Sequence, residues 1–266
     1  MNLAIDIGGT KTLLAVFDDQ GTVLEERRFP TPHDYSAFLT QVKTEAAALE
    51  HQDYETCVAA VPGLLDRTLG IARAFGNLSW VDVPIRDDLA KAIGKSVRIE
   101  NDAKLAALSE AICLKDEFAR ALYITISTGI GIGLVIDGRL DEGMINSEGG
   151  QILVEHQGSL VTWEDVASGR AIVERFGKRA SDIDDPAVWQ TISHDIAIGL
   201  INLIATIQPE VFILGGGVGT HFKKFEASLL RELQKYETPM VPLPVLRQAQ
   251  RAEKAVIYGC IELLKQ

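Results

Sequence analysis

A short glycine-containing segment near the start of the chain constrains its fold more than any other feature. Residues 6–12 read Asp-Ile-Gly-Gly-Thr-Lys-Thr and lie between two apolar runs typical of β-strands, 3–5 and 13–17. Glycines between two strands let the backbone approach a bulky group closely, with its N–H groups pointing outward. Amides, a hydroxyl and an ammonium group suit phosphate oxygens, and Asp6 suits the Mg²⁺ that accompanies them. An ordinary hairpin with a Gly-Gly turn stays open as the alternative for this segment alone.

Composition and charge restrict the class of protein and its partners. The chain has 266 residues, of which 47% are hydrophobic and 24% charged, which is ordinary for one large or two medium globular domains. Its 26 basic and 37 acidic residues give a net charge of −11. Because such a surface repels DNA and anionic membranes, we expect neither as a partner. An anionic substrate must therefore be held by local amides, dipoles and metal ions.

Cysteine usage and hydropathy predict a cytoplasmic protein. Cys57, Cys113 and Cys260 are far apart and fit no Cys-x-x-Cys spacing, so we expect buried free thiols in a reducing compartment. No positively charged leader precedes an apolar segment, so no signal peptide is expected. The longest apolar stretch, 196–207, is interrupted by Asn202 and is too short to span a bilayer. We expect it to be a core helix.

Periodicity and turn signals predict alternating strands and helices in the first part of the chain. The predicted strands are 3–7, 12–17, 22–29, 57–61 and 97–99, and the predicted helices are 35–51, 85–93 and 102–112.

The second part repeats the opening theme. A strand over 121–126 is followed by a Gly/Thr turn over 127–133 and a strand over 134–136. A Rossmann motif would open a helix, and the Walker pattern is absent. The repeat predicts two similar halves, each with a phosphate-binding turn, although a plain glycine-rich hairpin stays open. The remaining predicted elements are helices over 166–176, 188–207, 222–236 and 251–264 and a strand over 211–214.

A third glycine run, Gly215 to Gly217, lies between a predicted strand and a predicted helix. Glycines at that point let a flat ring or a ribose lie against the backbone at the carboxyl end of a sheet. The alternative is a tight strand-to-helix connection.

The segment Glu100-Asn101-Asp102 joins a predicted strand to a predicted helix. Asp102 is a candidate general base that takes a proton from an attacking hydroxyl, and Asn101 is a candidate ligand for a neighbouring hydroxyl. A helix N-terminus would keep Asp102 ionised, as a base requires. A purely structural N-cap stays open. Lys104, on the same helix, is expected to be a surface residue.

A phosphate-type turn, a candidate carboxylate base, a second phosphate-type turn and a nucleotide-type turn follow one another along the chain. Motifs in this order resemble the ROK family of bacterial sugar kinases, repressors and related proteins. A more distant resemblance is to the hexokinase and actin superfamily. The likeness covers essentially the whole chain, and its matching pieces are residues 6–12, 61–63, 77–80, 99–103, 128–133, 137–138, 167–169 and 214–218. The resemblance implies an α/β protein with the two-lobed actin-like ATPase (ribonuclease H-like) fold and an active site in the interlobe cleft.

The same resemblance implies phosphorylation of a hexose or N-acetylhexosamine hydroxyl, at C6 in most members, by ATP with Mg²⁺. Asp102 matches the catalytic base, Asn101 a sugar-hydroxyl ligand and Asp6 the carboxylate near the metal. The remaining matches are phosphate and adenosine contacts: Gly8, Gly9, Thr10 and Lys11 in the first loop, Thr128 and Gly129 in the second, and Gly215 and Gly216 beside the adenosine.

The chain departs from the family pattern after the second turn. The family carries Gly-Glu-x-Gly-His there, whereas residues 147–151 read Ser-Glu-Gly-Gly-Gln. Glu148 and Glu164 match the two sugar-binding glutamates, but Gln151 replaces the histidine. That histidine binds zinc with three downstream cysteines in many members, and 155–163 contains no cysteine, so no zinc site is expected. The departure concerns the C1 and C2 side of the sugar and so the identity of the substrate, and a solvated polar loop stays open here.

The resemblance also predicts the domain organisation. We expect a smaller lobe of residues 1–108 closed by 251–266, a larger lobe of 109–250, and a homodimer. Three alternatives stay open: a sugar-responsive regulator, a non-catalytic sugar-binding homologue, and a glucokinase that uses polyphosphate. Family regulators carry a helix-turn-helix domain before the first motif, whereas five residues precede Asp6 here. ATP is favoured over polyphosphate because few basic residues accompany the phosphate motifs.

Overall fold

The strands of the protein, in a computed structural model, are short, and those at the centres of the two large sheets are mostly buried. The structure describes residues 1–266, apart from the side chain of residue 252. The strands are β1 (Asn2–Ile7), β2 (Lys11–Phe17), β3 (Val23–Pro30), β4 (Thr56–Val61), β5 (Leu64–Asp66), β6 (Ile71–Ala74), β7 (Ser96–Asn101), β8 (Arg120–Ile126), β9 (Ile130–Ile136), β10 (Arg139–Leu140), β11 (Leu153–His156), β12 (Ser159–Thr162), β13 (Val211–Gly215) and β14 (Val245–Gln248).

The helices alternate with these strands in a mixed α/β order. They are α1 (Tyr35–Ala47), α2 (Ile85–Ile93), α3 (Asp102–Ile112), α4 (Trp163–Ala167), α5 (Gly169–Phe176), α6 (Pro186–Ile207), α7 (Gly216–Gly219), α8 (Phe222–Gln234) and α9 (Ala255–Leu264). The chain divides into two compact units. Unit 1 is Met1–Ser109 with Lys254–Gln266, and unit 2 is Glu110–Glu253.

Unit 1 is built on a five-stranded sheet of order β3-β2-β1-β4-β7. Strand β1 is antiparallel to β2 and parallel to β4, and β4 is parallel to β7. The central strand β4 is apolar and buried over almost its whole length, as in a sheet covered on both faces, whereas the edge strand β7 begins with alternating exposed and buried residues. Helices α1 and α2 share a core with one face, through residues such as Phe38, Leu89 and Ile5.

Unit 2 repeats this topology, with a sheet of order β10-β9-β8-β13-β14. Strand β8 is antiparallel to β9 and parallel to β13, and β13 is parallel to β14. Helix α6 supplies Ile196, Leu200 and Ile204 to the core of this unit. The repeat of strand, glycine turn and strand therefore correctly predicts two halves with one topology, and the α/β actin-like fold is confirmed.

Several predicted boundaries are wrong. The second glycine turn consists of residues 127–129 alone, because β9 begins at Ile130 and includes Gly131 and Gly133. The helix predicted over 166–176 is two helices that meet at Ser168, which closes α4 and caps α5 by accepting a hydrogen bond from Ala171 N. The first helix ends at Ala47. The β5–β6 and β11–β12 hairpins and the edge strand β14 were not predicted from the sequence.

The thiols and the apolar helix differ in part from expectation. Cys57 and Cys260 are buried free thiols, and burial raises the pKa of each, but Cys113 is exposed, contrary to the prediction. Helix α6 is longer than the apolar stretch 196–207 because it begins at Pro186, whose Asp185 N-cap accepts from Ala187 N. By length and composition α6 could cross a membrane, but half of its apolar window is buried, as in the core helix of a globular protein.

Replacing Gly259 by alanine is expected to destabilise the protein. A Cβ atom at this position in α9 would lie 2.0 Å from the Leu105 carbonyl oxygen of α3. Alanine ordinarily stabilises a helix interior by about 1 kcal/mol relative to glycine, so the steric effect has the opposite sign. We expect a loss of about 2–4 kcal/mol in the free energy of unfolding, measured by urea denaturation.

Gly76→Ala is the matched control, because nothing lies within 4 Å of a Cβ there. A Gly259→Ala protein as stable as the control would contradict the close packing of α9 on α3.

Candidate active site

The first glycine turn connects β1 to β2 and requires both of its glycines. A Cβ at Gly8 would lie 2.7 Å from the Lys11 carbonyl oxygen, and a Cβ at Gly9 would lie 2.7 Å from Asn77 Cβ. Gly8 N donates to Lys11 O at 3.0 Å, and the Thr31 hydroxyl donates to Gly8 O at 2.7 Å. The turn is therefore fixed in position before any ligand binds.

The side chains that follow these glycines point to solvent. Thr10 and Lys11 are exposed at the end of the turn, whereas Thr12 is fully buried and shares a hydrogen bond of 2.9 Å with Thr31. An exposed hydroxyl and an exposed ammonium group beside backbone amides can bind phosphate oxygens. The predicted phosphate-loop residues are thus placed where a ligand can reach them.

The candidate base lies at the same edge of the sheet as Asp6. Asp6 pairs with Ala60, and Ala60 with Glu100, so three parallel strands end together. Asp102 follows as the first residue of α3, and its Oδ1 accepts from Ala103 N at 2.8 Å. Ligand sites of open α/β sheets lie at this carboxyl edge.

The Asn101 side chain both donates and accepts a hydrogen bond within the protein. Its Nδ2 donates to Gly63 O at 3.1 Å, and its Oδ1 accepts from Lys104 N at 3.2 Å. The structural alternative for Asn101, an N-cap, is thus realised. Because an amide can make four hydrogen bonds, one N–H and one lone pair remain for a sugar hydroxyl.

Two charged side chains near Asn101, Glu100 and Lys104, are buried, and the sequence analysis did not predict this. Glu100 is buried and accepts from Asn101 N at 2.6 Å and from Arg67 Nε at 2.7 Å. This ion pair ties the end of β7 to the segment after β5.

Lys104 is only 3% exposed, so the prediction of a surface lysine is wrong. Helix α3 is buried on every side from Lys104 to Ala111, and no polar stripe in its sequence marks an outer face.

The electrostatics of Asp6 fit a bound cation. Burial, with a further contribution from the negative charge of Asp102, raises the pKa of Asp6 from 3.8 to about 7, while Arg28 acts in the opposite direction. A divalent cation bound near both carboxylates would relieve the repulsion between them. The donor set therefore fits the chemistry of Mg²⁺ held with phosphate oxygens.

The second turn lies in unit 2 between β8 and β9. Ser127 N donates to Gly129 O at 2.9 Å, and Gly169 N donates to Ser127 O at 2.6 Å, so the start of α5 supports the turn. Thr128 is exposed. This arrangement leaves the Thr128 hydroxyl at the surface of a rigid turn.

The third turn lies beside the second because β13 pairs with β8. A Cβ at Gly216, whose φ is +76°, would lie 2.5 Å from Ile126 O, and one at Gly215 would lie 2.3 Å from Tyr123 Oη. Both glycines are therefore required by close packing, and Gly216 also by its backbone conformation.

A cavity of about 320 Å³ connects the second and third turns. Thr128, Gly169 and Gly217 line it, together with apolar Val173, Ala180 and Val218 and with Arg179 and His221. Gly215 and Gly216 line a second cavity of about 320 Å³ with Thr220, Ala249 and Glu253. The structure thus brings Thr128 together with Gly217 rather than with Gly215. The sequence analysis did not predict Arg179 and His221 as site residues, because neither belongs to a motif that marks a binding role.

The predicted sugar residues of unit 2 are only partly brought together. Gln151 Nε2 donates to Glu164 Oε1 at 2.9 Å. Glu148 is exposed, accepts from Gln151 N through its backbone oxygen at 3.1 Å and lines a cavity of about 370 Å³ with apolar residues such as Ile132 and Leu203. Among the described residues, no three His, Cys, Asp or Glu side chains form a group that could hold a metal ion.

The repeated sheet and the glycine turns define a protein of the actin-like ATPase class, and its relatives place it among the sugar kinases. Residues 2–266 match the sequence model of the ROK family. The chain therefore belongs to the ROK family. It is an enzyme of the sugar kinase class.

Curated relatives support this assignment over most of the chain. It is 31% identical over 228 residues to a Bacillus subtilis (strain 168) protein named "Putative fructokinase", covering 80% of this chain and 76% of that protein. It is 26% identical over 304 residues to the N-acetyl-D-glucosamine kinase of Haemophilus influenzae (strain 86-028NP), covering 99% of both.

Solved structures show the same fold. The ROK hexokinase of Thermus thermophilus has a TM-score of 0.76 and 27% identity, with 99% of both chains covered. A ROK family glucokinase from Streptomyces griseus, in complex with glucose and AMPPNP, has a TM-score of 0.82 and 24% identity, with 98% of both chains covered.

Replacing Asp6 by asparagine is expected to stabilise the ligand-free protein at pH 8. Because the pKa of Asp6 rises from 3.8 in the unfolded chain to about 7 in the folded one, its contribution to stability falls as pH rises between these values. About three pKa units correspond to roughly 4 kcal/mol. We expect a gain on the order of 2–4 kcal/mol in unfolding free energy at pH 8 and little gain near pH 4.

Urea denaturation of Asp6→Asn and wild type at both pH values measures this difference. The control is Asp53→Asn, which removes a carboxylate from an exposed position in the same unit. A loss of stability at pH 8, or an equal gain in the control, would show that ionised Asp6 does not destabilise the folded protein.

Proposed function

We propose that the protein transfers the γ-phosphate of ATP to the C6 hydroxyl of a hexose or N-acetylhexosamine, with Asp102 as the general base. The observation that supports this most strongly is the proximity of the Asp102 and Asp6 carboxylates at the edge where the first glycine turn also lies. A kinase that acts on an alcohol needs a proton acceptor close to its metal and phosphate site. The family assignment and the kinases among the relatives agree with the proposal.

The roles of the residues follow from their placement. Asp102 accepts the proton of the sugar hydroxyl as that oxygen attacks the γ-phosphorus of ATP, the bond from this phosphorus to the β–γ bridging oxygen breaks, and ADP leaves. Asn101 orients a neighbouring hydroxyl with its remaining N–H. Asp6 would hold Mg²⁺, which supplies charge neutralisation on the phosphates when bound. Amides of the first turn, with Thr10 and Lys11, hold phosphate oxygens from the side of unit 1. Positioning supplies most of the acceleration in such a transfer.

The residues of unit 2 supply the nucleotide and sugar contacts in this proposal. Thr128 and Gly129 contact phosphate, Gly215 and Gly216 lie by the adenosine, and Glu148, Gln151 and Glu164 bind sugar hydroxyls. We propose the two units as the two lobes of the fold.

ATP is the donor that the cavity between the second and third turns fits best. Its apolar residues and the Arg179 and His221 side chains can contact a nucleotide that extends from Thr128 towards the third turn. A polyphosphate chain would instead need a continuous series of cations, and Arg179 and His221 are the basic residues that line this cavity. The structurally similar glucokinase was solved with AMPPNP, which agrees with nucleotide use.

Asp102→Asn is expected to lower kcat by about 10²–10⁴-fold, because asparagine cannot accept the proton. The KM for the sugar should change less than about threefold, since the amide keeps the size and most hydrogen bonds of the carboxylate. A coupled ADP-release assay with Mg-ATP and a panel of hexoses, N-acetylhexosamines and ketoses measures both constants.

Asp53→Asn is the control for this assay, because it removes an exposed carboxylate of unit 1. Near-normal turnover in Asp102→Asn would refute the base assignment. Wild type without turnover on any sugar would refute the kinase proposal and favour a non-catalytic sugar-binding or regulatory role.

The proposed enzyme needs no zinc. After prolonged treatment with a zinc chelator and removal of the chelator, Mg²⁺ alone should restore full activity with ATP, and the thermal unfolding midpoint should be unchanged. Recovery that depends on added zinc, or a lowered unfolding midpoint, would contradict this prediction.

A further inference from the structure

A buried carboxylate connects the first residue of unit 2 to the end of that unit. Glu110 is the first residue of unit 2, which ends at Glu253. It lies in α3 and is only 1% exposed. Its Oε2 accepts a hydrogen bond from Gln250 N and its Oε1 accepts one from Arg251 N, each at 2.7 Å. Both carboxylate oxygens therefore bind backbone amides of a segment that lies 140 residues away along the chain.

The segment that Glu110 binds is irregular. Residues 249–251 form neither strand nor helix and lie between β14 and a short 3₁₀ helix, Ala252–Lys254. Ala249 N donates to Leu214 O at 2.9 Å, which attaches the start of the segment to β13. The next two amides are bound by the Glu110 carboxylate. Because irregular segments are ordinarily the most mobile part of a fold, these two bonds give the segment a fixed position.

The same part of the chain, residues 249–253, forms a wall of the cavity beside the third glycine turn, and we call it the wall segment. Ala249 and Glu253 line this cavity of about 320 Å³ together with Gly215 and Gly216. The two residues whose amides Glu110 binds lie between these two lining residues in the chain. The position of the wall therefore depends on the Glu110 carboxylate.

The charge of the wall segment favours one part of a nucleotide. Glu253 is exposed and contributes a carboxylate to the cavity. A carboxylate repels phosphate, but it accepts hydrogen bonds from ribose hydroxyls and from an amine on a base. The wall segment is therefore suited to the nucleoside of a nucleotide rather than to its phosphates.

We propose that Glu110 is a positioning residue for nucleotide binding: its carboxylate holds the wall segment beside the third turn, and the affinity for ATP depends on that wall. The proposal rests on the proposed function, since the third turn is assigned there to the adenosine. Because Glu110 is buried, it acts through the backbone of the wall segment rather than by contact with the nucleotide.

The first test is Glu110→Gln, which keeps the size of the side chain but places an NH₂ group against one of the two backbone N–H groups. We expect the KM for ATP to rise about tenfold, while kcat and the KM for the sugar change less than about threefold. The calorimetric Kd of ADP should rise by the same factor as that of Mg-AMPPNP, since both contain the nucleoside. Glu110→Asp, which keeps the charge but is one methylene shorter, should raise the KM for ATP to a similar extent.

Hydrogen exchange measured by nuclear magnetic resonance is a second test, and it does not depend on catalysis. The amides of Gln250 and Arg251 should exchange slowly in wild type, because both are bound to a buried carboxylate. In Glu110→Gln at least one of them should exchange about tenfold faster, while the amides of β13 keep their wild-type rates. Mg-AMPPNP should slow the exchange again, since the bound nucleotide then orders the wall segment. A general loss of stability would instead accelerate exchange in β13 as well.

Glu232→Gln is the matched control, because Glu232 is another buried carboxylate of unit 2 and binds His194 and Lys235, which lie outside the wall segment. A KM for ATP within twofold of wild type in Glu110→Gln, an equal rise in the KM for the sugar, or equal effects in the control would overturn the proposal. Should wild type bind nucleotide but turn over no sugar, the kinase proposal fails, and the Kd values for Mg-AMPPNP and ADP decide the role of Glu110. Absence of nucleotide binding by wild type refutes that role.

Discussion

The placement of Asp6 beside Asp102 is the constraint on which the rest of the site depends. Each carboxylate lies at the carboxyl end of the sheet in unit 1, and together with burial their repulsion raises the pKa of Asp6 to about 7. A fold that only needed stability would place a neutral side chain at one of these positions. In the proposed reaction, a cation bound with phosphates would relieve this repulsion, and Asp102 would accept the proton of the sugar hydroxyl.

The glycine turns are the second requirement, and they follow from the repeated topology. In each unit the first two strands form an antiparallel pair, and the turn between them opens at the edge where the parallel strands end. Side chains at Gly8, Gly9, Gly129 and Gly216 would collide with neighbouring atoms. Because the turns pack so closely on the protein, their amides and hydroxyls are oriented before a ligand arrives.

Local signals were sufficient to predict much of this arrangement from the sequence. Adjacent residues form a recognisable pattern in the segment 6–12 and at Asn101 and Asp102. The position of the first between two strands, and of the second between a strand and a helix, could therefore be predicted. The Arg67–Glu100 ion pair joins residues 33 positions apart, and no local pattern marks it. Lys104 was misplaced because burial of α3 depends on elements that pack around it. Likewise, Gln151 could be recognised as a replacement, but its bond to Glu164 required coordinates.

The central claim, transfer of phosphate from ATP to the C6 hydroxyl of a sugar, is tested most directly by nuclear magnetic resonance of the reaction mixture. Protein, Mg-ATP and an accepted hexose or N-acetylhexosamine are combined, and ³¹P spectra coupled to ¹H are followed over time. The account predicts a new phosphomonoester signal coupled to the two C6 protons, growing in step with ADP. Formation of ADP and inorganic phosphate without a sugar phosphate, or phosphorylation of another position, would contradict it.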